Sequence, residues 1–224
     1  MRRPEHLPGC LVLTGTPGAG KTTVSRLVAE RLPRAAQVDG DVFGLMLVSG
    51  RANMIDEQGS WNPGPDGLAQ LRLRATAACS TADDFADAGF TPVVDTVVET
   101  RAELAYVHGR LRARPLMLVV LCPPLAVARH RNATRAAETR VDYDVAPLAR
   151  NQERELGDLG WWLDSGEQTP EQTADLIVAG AARRAVVTGA ALARPRPGAD
   201  WPGFTAGLER AGLERAGLER ARPE

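Results

Sequence analysis

The chain has 224 residues, 44% apolar and 25% charged, with a formal net charge of −1. That is the size of one domain with room for an appendage, and it supplies enough apolar mass for a sizeable core. The near-neutral balance, with no dense Lys/Arg run, gives no electrostatic ground for a nucleic-acid or anionic-membrane partner.

In chain order, two arginines near the N-terminus precede the apolar run Cys10 to Leu13, which is too short for the core of a signal peptide. The longest other apolar run, Leu116 to Cys122, is far below a membrane span. The three cysteines, Cys10, Cys79 and Cys122, are scattered and odd in number. They read as small buried residues in a reducing cytoplasm, not as a disulfide set or a zinc site.

CLVLT (Cys10 to Thr14) predicts a short buried strand running into a glycine-rich loop, and Lys21 to Leu32 predicts a helix that Pro33 ends. Ala35 to Val38 predicts a second strand. From Asp66 to Ala88, Leu68, Leu71, Ala75, Ala78, Ala82 and Phe85 alternate spacings of three and four, one stripe along a long helix. TPVVD (Thr91 to Asp95) and LMLVVL (Leu116 to Leu121) predict the third and fourth strands, and WWLD (Trp161 to Asp164) a fifth. Thr169-Pro-Glu-Gln172 has the form of a capping box, opening a helix whose inner face is Ala174, Ile177, Val178 and Ala181. Short apolar strands alternating with helices predict an α/β domain with a mostly parallel, five-stranded sheet flanked by helices.

The tail reads differently. AGLER occurs three times from Ala206 to Arg220. A period of five advances a helix by about 140°, so Leu208, Leu213 and Leu218 share no seam. Residues 194–224 therefore read as an appendage to a domain of residues 1–193, dispensable for chemistry or a contact within a monomer-or-homodimer assembly.

The loop GTPGAGKT meets the pattern G-x-x-x-x-G-K-[ST] at Gly15, Gly20, Lys21 and Thr22. Backbone N–H groups of such a loop wrap a phosphate chain, its glycines allow close approach, and the helix that follows presents its positive end. The lysine reaches the β- and γ-phosphates, and the Thr hydroxyl ligates Mg²⁺. Gly15, Thr16, Pro17, Gly18, Ala19, Gly20, Lys21, Thr22 and Thr23 thus form a site for ATP, with Mg²⁺ on Thr22. Lys21 is the only lysine among 27 Lys+Arg. A planar guanidinium does not replace a compact ammonium in this loop. With no second lysine, the chain has no N-K-x-D guanine-reading element, and Thr-Val-Val after Asp95 gives no D-x-x-G switch. A GTPase switch is thereby excluded.

With GTPGAGKT, VDGD (Val38 to Asp41), VVDT (Val93 to Thr96), RNATR (Arg131 to Arg135) and the closing WLDSGEQTPEQTADLIV, the chain resembles the small P-loop kinases. These include adenylate kinase, gluconate kinase and chloramphenicol phosphotransferase, and the likeness runs from about Leu11 to Ala182. The resemblance implies a three-layer P-loop NTPase fold with a lid. It implies that Asp41 faces the acceptor hydroxyl, accepting its proton or holding it in line with the γ-phosphate; a helix N-cap is the plain alternative for this residue. It implies that Asp95, at a strand's carboxyl end, holds Mg²⁺ through water or binds substrate, against an ordinary polar strand end. The lid it implies spans about 129–144, where Arg131 and Arg135, four apart on one helix face, serve ATP by stacking on adenine or reaching phosphate charge. The plain alternative there is a solvated basic face.

The acceptor region is about 41–66. There Trp61 and Met54 are candidates to line a pocket and Arg51 and Asn53 to hydrogen-bond, with a packing role for Trp61 as the alternative. The adenylate-kinase type of site has an arginine soon after the acid, whereas here the nearest is Arg51, which favours a neutral hydroxyl compound, such as an antibiotic, over a nucleotide. The expectation is a cytoplasmic, ATP- and Mg²⁺-dependent small-molecule kinase with Asp41, Lys21 and Arg135 as catalytic residues and Asp41, Arg51, Trp61 and Asp95 as acceptor contacts. A nucleoside or nucleotide kinase, and a nucleotide-binding regulator without transfer activity, are the alternatives.

Overall fold

Runs of leucine and valine with every residue buried, such as LMLVVL, form interior strands covered on both faces. In the computed structural model, which describes residues 6–194, five strands lie parallel: β1 (Cys10–Gly15), β2 (Ala35–Asp39), β3 (Thr91–Asp95), β4 (Leu116–Leu121) and β5 (Trp161–Leu163). Their spatial order is β2-β3-β1-β4-β5. The expected five-stranded sheet gains a sixth strand, β6 (Val186–Val187), antiparallel to β4. β5 pairs only with Val119–Leu121, and β6 continues its place along β4 by pairing with Leu116 and Met117. Two residues are too few for an alternation to show in the sequence.

Successive strand residues point to opposite faces, and two cores follow. Leu11, Leu13, Met117 and Val119 face one side with Val24, Val28, Ile177 and Val178. These last four lie on helices α1 (Lys21–Arg31) and α7 (Pro170–Arg184). Cys10, Val12, Leu118 and Val120 face the other side with Ala78, Ala82, Leu104 and Leu156. This second layer is built from α3 (Gly64–Asp87), α4 (Arg101–Arg110) and α6 (Ala146–Leu156). Three layers result, as expected. The capping box at Thr169 and Gln172 forms, and a second, at Thr100 and Glu103, opens α4.

Helix α3 keeps its expected place but not its full stripe. Ala78, Cys79 and Ala82 are buried on the sheet, Leu68 and Leu71 are only half-buried, and Leu73 and Phe85 are exposed. The helix outruns the sheet edge, so its first half hangs over residues 41–66 with α2 (Gly40–Leu45) beneath it. Helix α5 (Leu125–Ala133) follows β4, and α8 (Gly189–Leu192) packs on α4. The AGLER repeats lie outside the described residues. No helix among the described residues is long and apolar enough to cross a membrane.

Candidate active site

The strand register assembles the site. Leu13, Asp95 and Asp39 are neighbours across β1, β3 and β2, so both acids stand at the carboxyl edge where the glycine loop leaves β1. The loop turns through three left-handed glycines, Gly15, Gly18 and Gly20, with φ of 141°, 83° and 96°. L-residues with a Cβ avoid that region. Gly20 ends the loop at the N-terminus of α1, which has no side-chain cap and no acidic residue in its first turn. Its N–H groups and dipole are left for an anion.

Lys21 folds back across the loop, its Nζ donating to the carbonyls of Gly15 at 3.0 Å and Thr16 at 3.2 Å. Burial lowers its pKa, while the charges of Asp41, Asp95 and Asp39 oppose that fall. The lysine is thus within the field of all three edge carboxylates. Asp95 is 2% exposed. Its Oδ2 accepts from Ser25 Oγ at 2.7 Å and Gln37 Nε2 at 3.2 Å, and its Oδ1 from Thr22 Oγ1 at 3.4 Å. Burial raises the Asp95 pKa, and the Ser25 bond counters it. Thr22 is exposed, and with Asp95 it supplies one hydroxyl and one carboxylate oxygen. Among the described residues no cluster of three His, Cys, Asp or Glu side chains could hold a metal by itself. That donor set suits Mg²⁺, which keeps several waters and leans on phosphate oxygens in place of a protein cage. There it would offset the charge of a phosphate chain.

Ser25 and Gln37 were not anticipated, yet both could be read from spacing. Ser25 is one helical turn after Thr22, and Gln37 is two residues before Asp39 on the same strand face. The N-cap of α2 is Asp39, not Asp41: its side chain accepts from Asp41 N at 2.9 Å. Asp41 is freed from capping and lies in the first turn with its side chain 67% exposed, where its Oδ1 meets Arg74 Nη2 at 2.6 Å. The cation that reaches the acid after the second strand is therefore Arg74, from α3, 33 residues further on, and not Arg51. Arg51 is exposed on the 50–52 turn, which Gln70 holds through Gly50 O and Ala52 N.

The lid differs from the expected helix. Helix α5 ends at Ala133, where Thr134 Oγ1 bonds back to the carbonyls of His130 and Arg131. Arg135 lies past that end, so Arg131 and Arg135 do not share a helix face. Arg131 Nη2 donates to Ser165 O at 3.2 Å, in the loop after β5. Arg135 is exposed, and its charge bears on Lys21. Asn132 ties the lid's two ends together through Val141 O at 2.8 Å and Val141 N at 3.2 Å.

Trp61 is half-buried and paired through its backbone with Ile55, while Met54 lies over Gly67. The Trp61 ring meets Tyr143, from the far end of the lid segment, with centroids 5.2 Å apart. Burial, then the charges of Asp41 and Glu99, push the Tyr143 phenol up to about 12, and Arg74 acts against them. Glu99, after β3, accepts from Asn151 Nδ2 of α6 at 2.8 Å, and its own pKa is raised by burial. The charges of Asp41, Glu99 and Arg74 thus all bear on Tyr143, whose ring meets Trp61. Of these, Arg74, Glu99 and Tyr143 carried no sequence signal, since each arrives from a separate element.

A protein-family model described as "AAA domain" matches residues 11–156. No curated protein matches the sequence. Among solved structures, the chain is similar to a sugar kinase from Janibacter sp. HTCC2649, at 18% identity and a TM-score of 0.56 over 79% of this chain and 96% of that one. A tunicamycin resistance protein from Deinococcus radiodurans shares 16% identity with a TM-score of 0.53, over 81% and 100% of the two chains. A shikimate kinase from Aquifex aeolicus shares 17% identity with a TM-score of 0.51, over 76% and 94%.

Proposed function

Because the chain belongs to this AAA-domain family of P-loop proteins and has the fold of small P-loop kinases, we propose that it transfers the γ-phosphoryl group of ATP to a hydroxyl of a small molecule. The observation that carries the reading is the exposed carboxylate of Asp41, in the first turn of the helix after β2 and in the field of the loop lysine. A nucleotide-binding regulator has no use for a carboxylate held at the acceptor side of a phosphate site.

In this reading the loop amides and Lys21 hold the phosphate chain, while Thr22 and Asp95 provide the place for Mg²⁺. Asp41 receives the acceptor O–H, so that the oxygen faces the phosphorus as the bridging bond to ADP breaks. Arg135 and Arg131 close the donor side. Phosphoryl transfer rests on positioning and charge stabilisation, so no covalent nucleophile is required. The acceptor lies against Trp61 and Tyr143. An uncharged compound suits this space, because Arg74 is committed to Asp41 and Glu99 adds negative charge. Hydroxylated antibiotics belong to that class, and one fold neighbour is a tunicamycin resistance protein. A reducing, cytoplasmic setting fits the three free cysteines.

The test is ADP formation with uncharged nucleosides, sugars and hydroxylated antibiotics, against nucleoside monophosphates and sugar acids. Lys21→Ala should abolish all ATP-dependent turnover. Turnover equal to that of the natural chain in this variant would refute the reading. Preference for a nucleoside monophosphate would replace it with a nucleotide kinase.

A further inference from the structure

Arg74 is placed with unusual constraint for a residue on an overhanging helix. Its side chain is only 19% exposed, although α3 runs beyond the sheet there. The stem lies across Gly44 of α2: a Cβ at Gly44 would come within 3.0 Å of Arg74 Cδ and 3.5 Å of its Nε. The Nε–H is buried with no hydrogen-bond partner. A buried donor is normally satisfied, so this side chain is not placed for its own hydrogen bonding. What the placement achieves is delivery of Nη2 to Asp41 Oδ1 at 2.6 Å.

Asp41 is then held at two points. Asp39 takes its backbone N–H at 2.9 Å and Arg74 takes Oδ1, while the side chain stays 67% exposed, so that the carboxylate is held yet open to solvent. The charges of both members of this pair bear on Tyr143 from the lid segment, as does that of Glu99 after β3, and the charge of Asp41 bears on Lys21 across the loop.

Resting on the kinase reading above, we propose that Arg74 is the positioning residue of the transfer, acting through Asp41 by fixing the carboxylate that receives the acceptor proton. The acceptor oxygen attacks the γ-phosphorus, the bond to the β-phosphate oxygen breaks with its electron pair going to ADP, and the acceptor proton passes to Asp41. Gly44 is part of the device, since a side chain there would displace the stem.

Water is an acceptor for any such site, so the test needs no identified substrate. Slow ATP hydrolysis is measured in full-length protein for the natural chain and for Lys21→Ala, Asp41→Asn, Arg74→Met, Arg74→Lys and the double variant Asp41→Asn/Arg74→Met, with ATP affinity taken by direct titration. The expectation is a fall of about 100-fold for Asp41→Asn, as for the loss of a general base. Arg74→Met should lose about 10-fold or more, and Arg74→Lys should recover part of it, since a point charge still reaches the carboxylate without the fork. The double variant should lie within about twofold of Asp41→Asn, because a residue acting through another contributes nothing once that other is gone. ATP affinity should not move.

Multiplying losses in the double variant, or an Arg74→Met variant that loses ATP affinity with saturated turnover intact, would overturn the assignment and leave the kinase reading standing. Hydrolysis by the natural chain no faster than by Lys21→Ala would overturn both.

Discussion

Two loop glycines separate the effect of backbone conformation from that of packing. Gly18 and Gly20 both have left-handed φ, 83° and 96°. A Cβ at Gly20 would meet only Val24 Cγ2, at 4.0 Å, whereas at Gly18 it would lie 2.1 Å from Ala128 O and 2.9 Å from Ala128 C in helix α5. Gly20→Ala thus carries the conformational term alone, about 1–2 kcal/mol. Gly18→Ala adds an overpacking term of about 1–3 kcal/mol, because the obstacle is backbone that cannot rotate away. At about 2–4 °C per kcal/mol for a domain of this size, Gly18→Ala should melt about 2–12 °C below Gly20→Ala. Ligand-free thermal unfolding by circular dichroism or calorimetry gives the comparison. Equal melting temperatures would mean that the lid helix does not rest on the loop, and the placement of Arg131 and Arg135 that follows from it would fall.

Further outcomes follow from the buried carboxylates. Asp95→Asn should abolish Mg²⁺-dependent turnover while raising the melting temperature of the ligand-free protein at neutral pH by about 2–4 °C, the equivalent of about 1 kcal/mol. Burial raises the pKa of Asp95, so ionising it disfavours the folded state, and the difference from the natural chain should shrink as the pH is lowered. Glu103, whose carboxyl is pushed up to about 7 chiefly by burial, should behave likewise. Its folded pKa lies above the unfolded value near 4.5, so stability is fullest below that value and is lost as pH rises through about 7. Glu103→Gln keeps a capping box and should remove that slope: unfolding midpoints in urea would match the natural chain near pH 4 and exceed it near pH 8. A variant with the slope unchanged would count against Glu103 as its source.

Legibility in the sequence tracked how local each signal was. The strands β1, β3 and β4, the loop with its lysine and the Thr169 cap are written in contiguous residues, and the fold bears them out. Strand β6 was invisible because two valines have no periodicity. The shared face of Arg131 and Arg135 failed because α5 ends at Ala133 and the N–H of Arg135 turns to Asn132 O at 3.2 Å, three residues back, an early helix end that spacing does not reveal. The largest gap was at the acceptor side. The absence of an arginine soon after Asp41 in sequence spoke against a nucleotide acceptor, yet Arg74 reaches the acid from α3, which packs on α2. Capping by Asp39 was equally hidden, since both acids of VDGD stand at the start of the same short helix, and the extended backbone of Asp39, φ −79° and ψ 111°, with its bond from Asp41 N, distinguishes the cap. Glu99 and Tyr143 enter from separate elements, a juxtaposition that only tertiary structure supplies.

The central claim is that Asp41 serves transfer and not nucleotide binding. The most direct measurement compares ADP formation by Asp41→Asn and the natural chain, each saturated with ATP and with the best hydroxyl acceptor of the natural chain, together with ATP affinity by titration. The expected result is unchanged ATP affinity and a transfer rate lower by about 10²–10⁴-fold. A transfer rate within a few-fold of the natural chain's would contradict it.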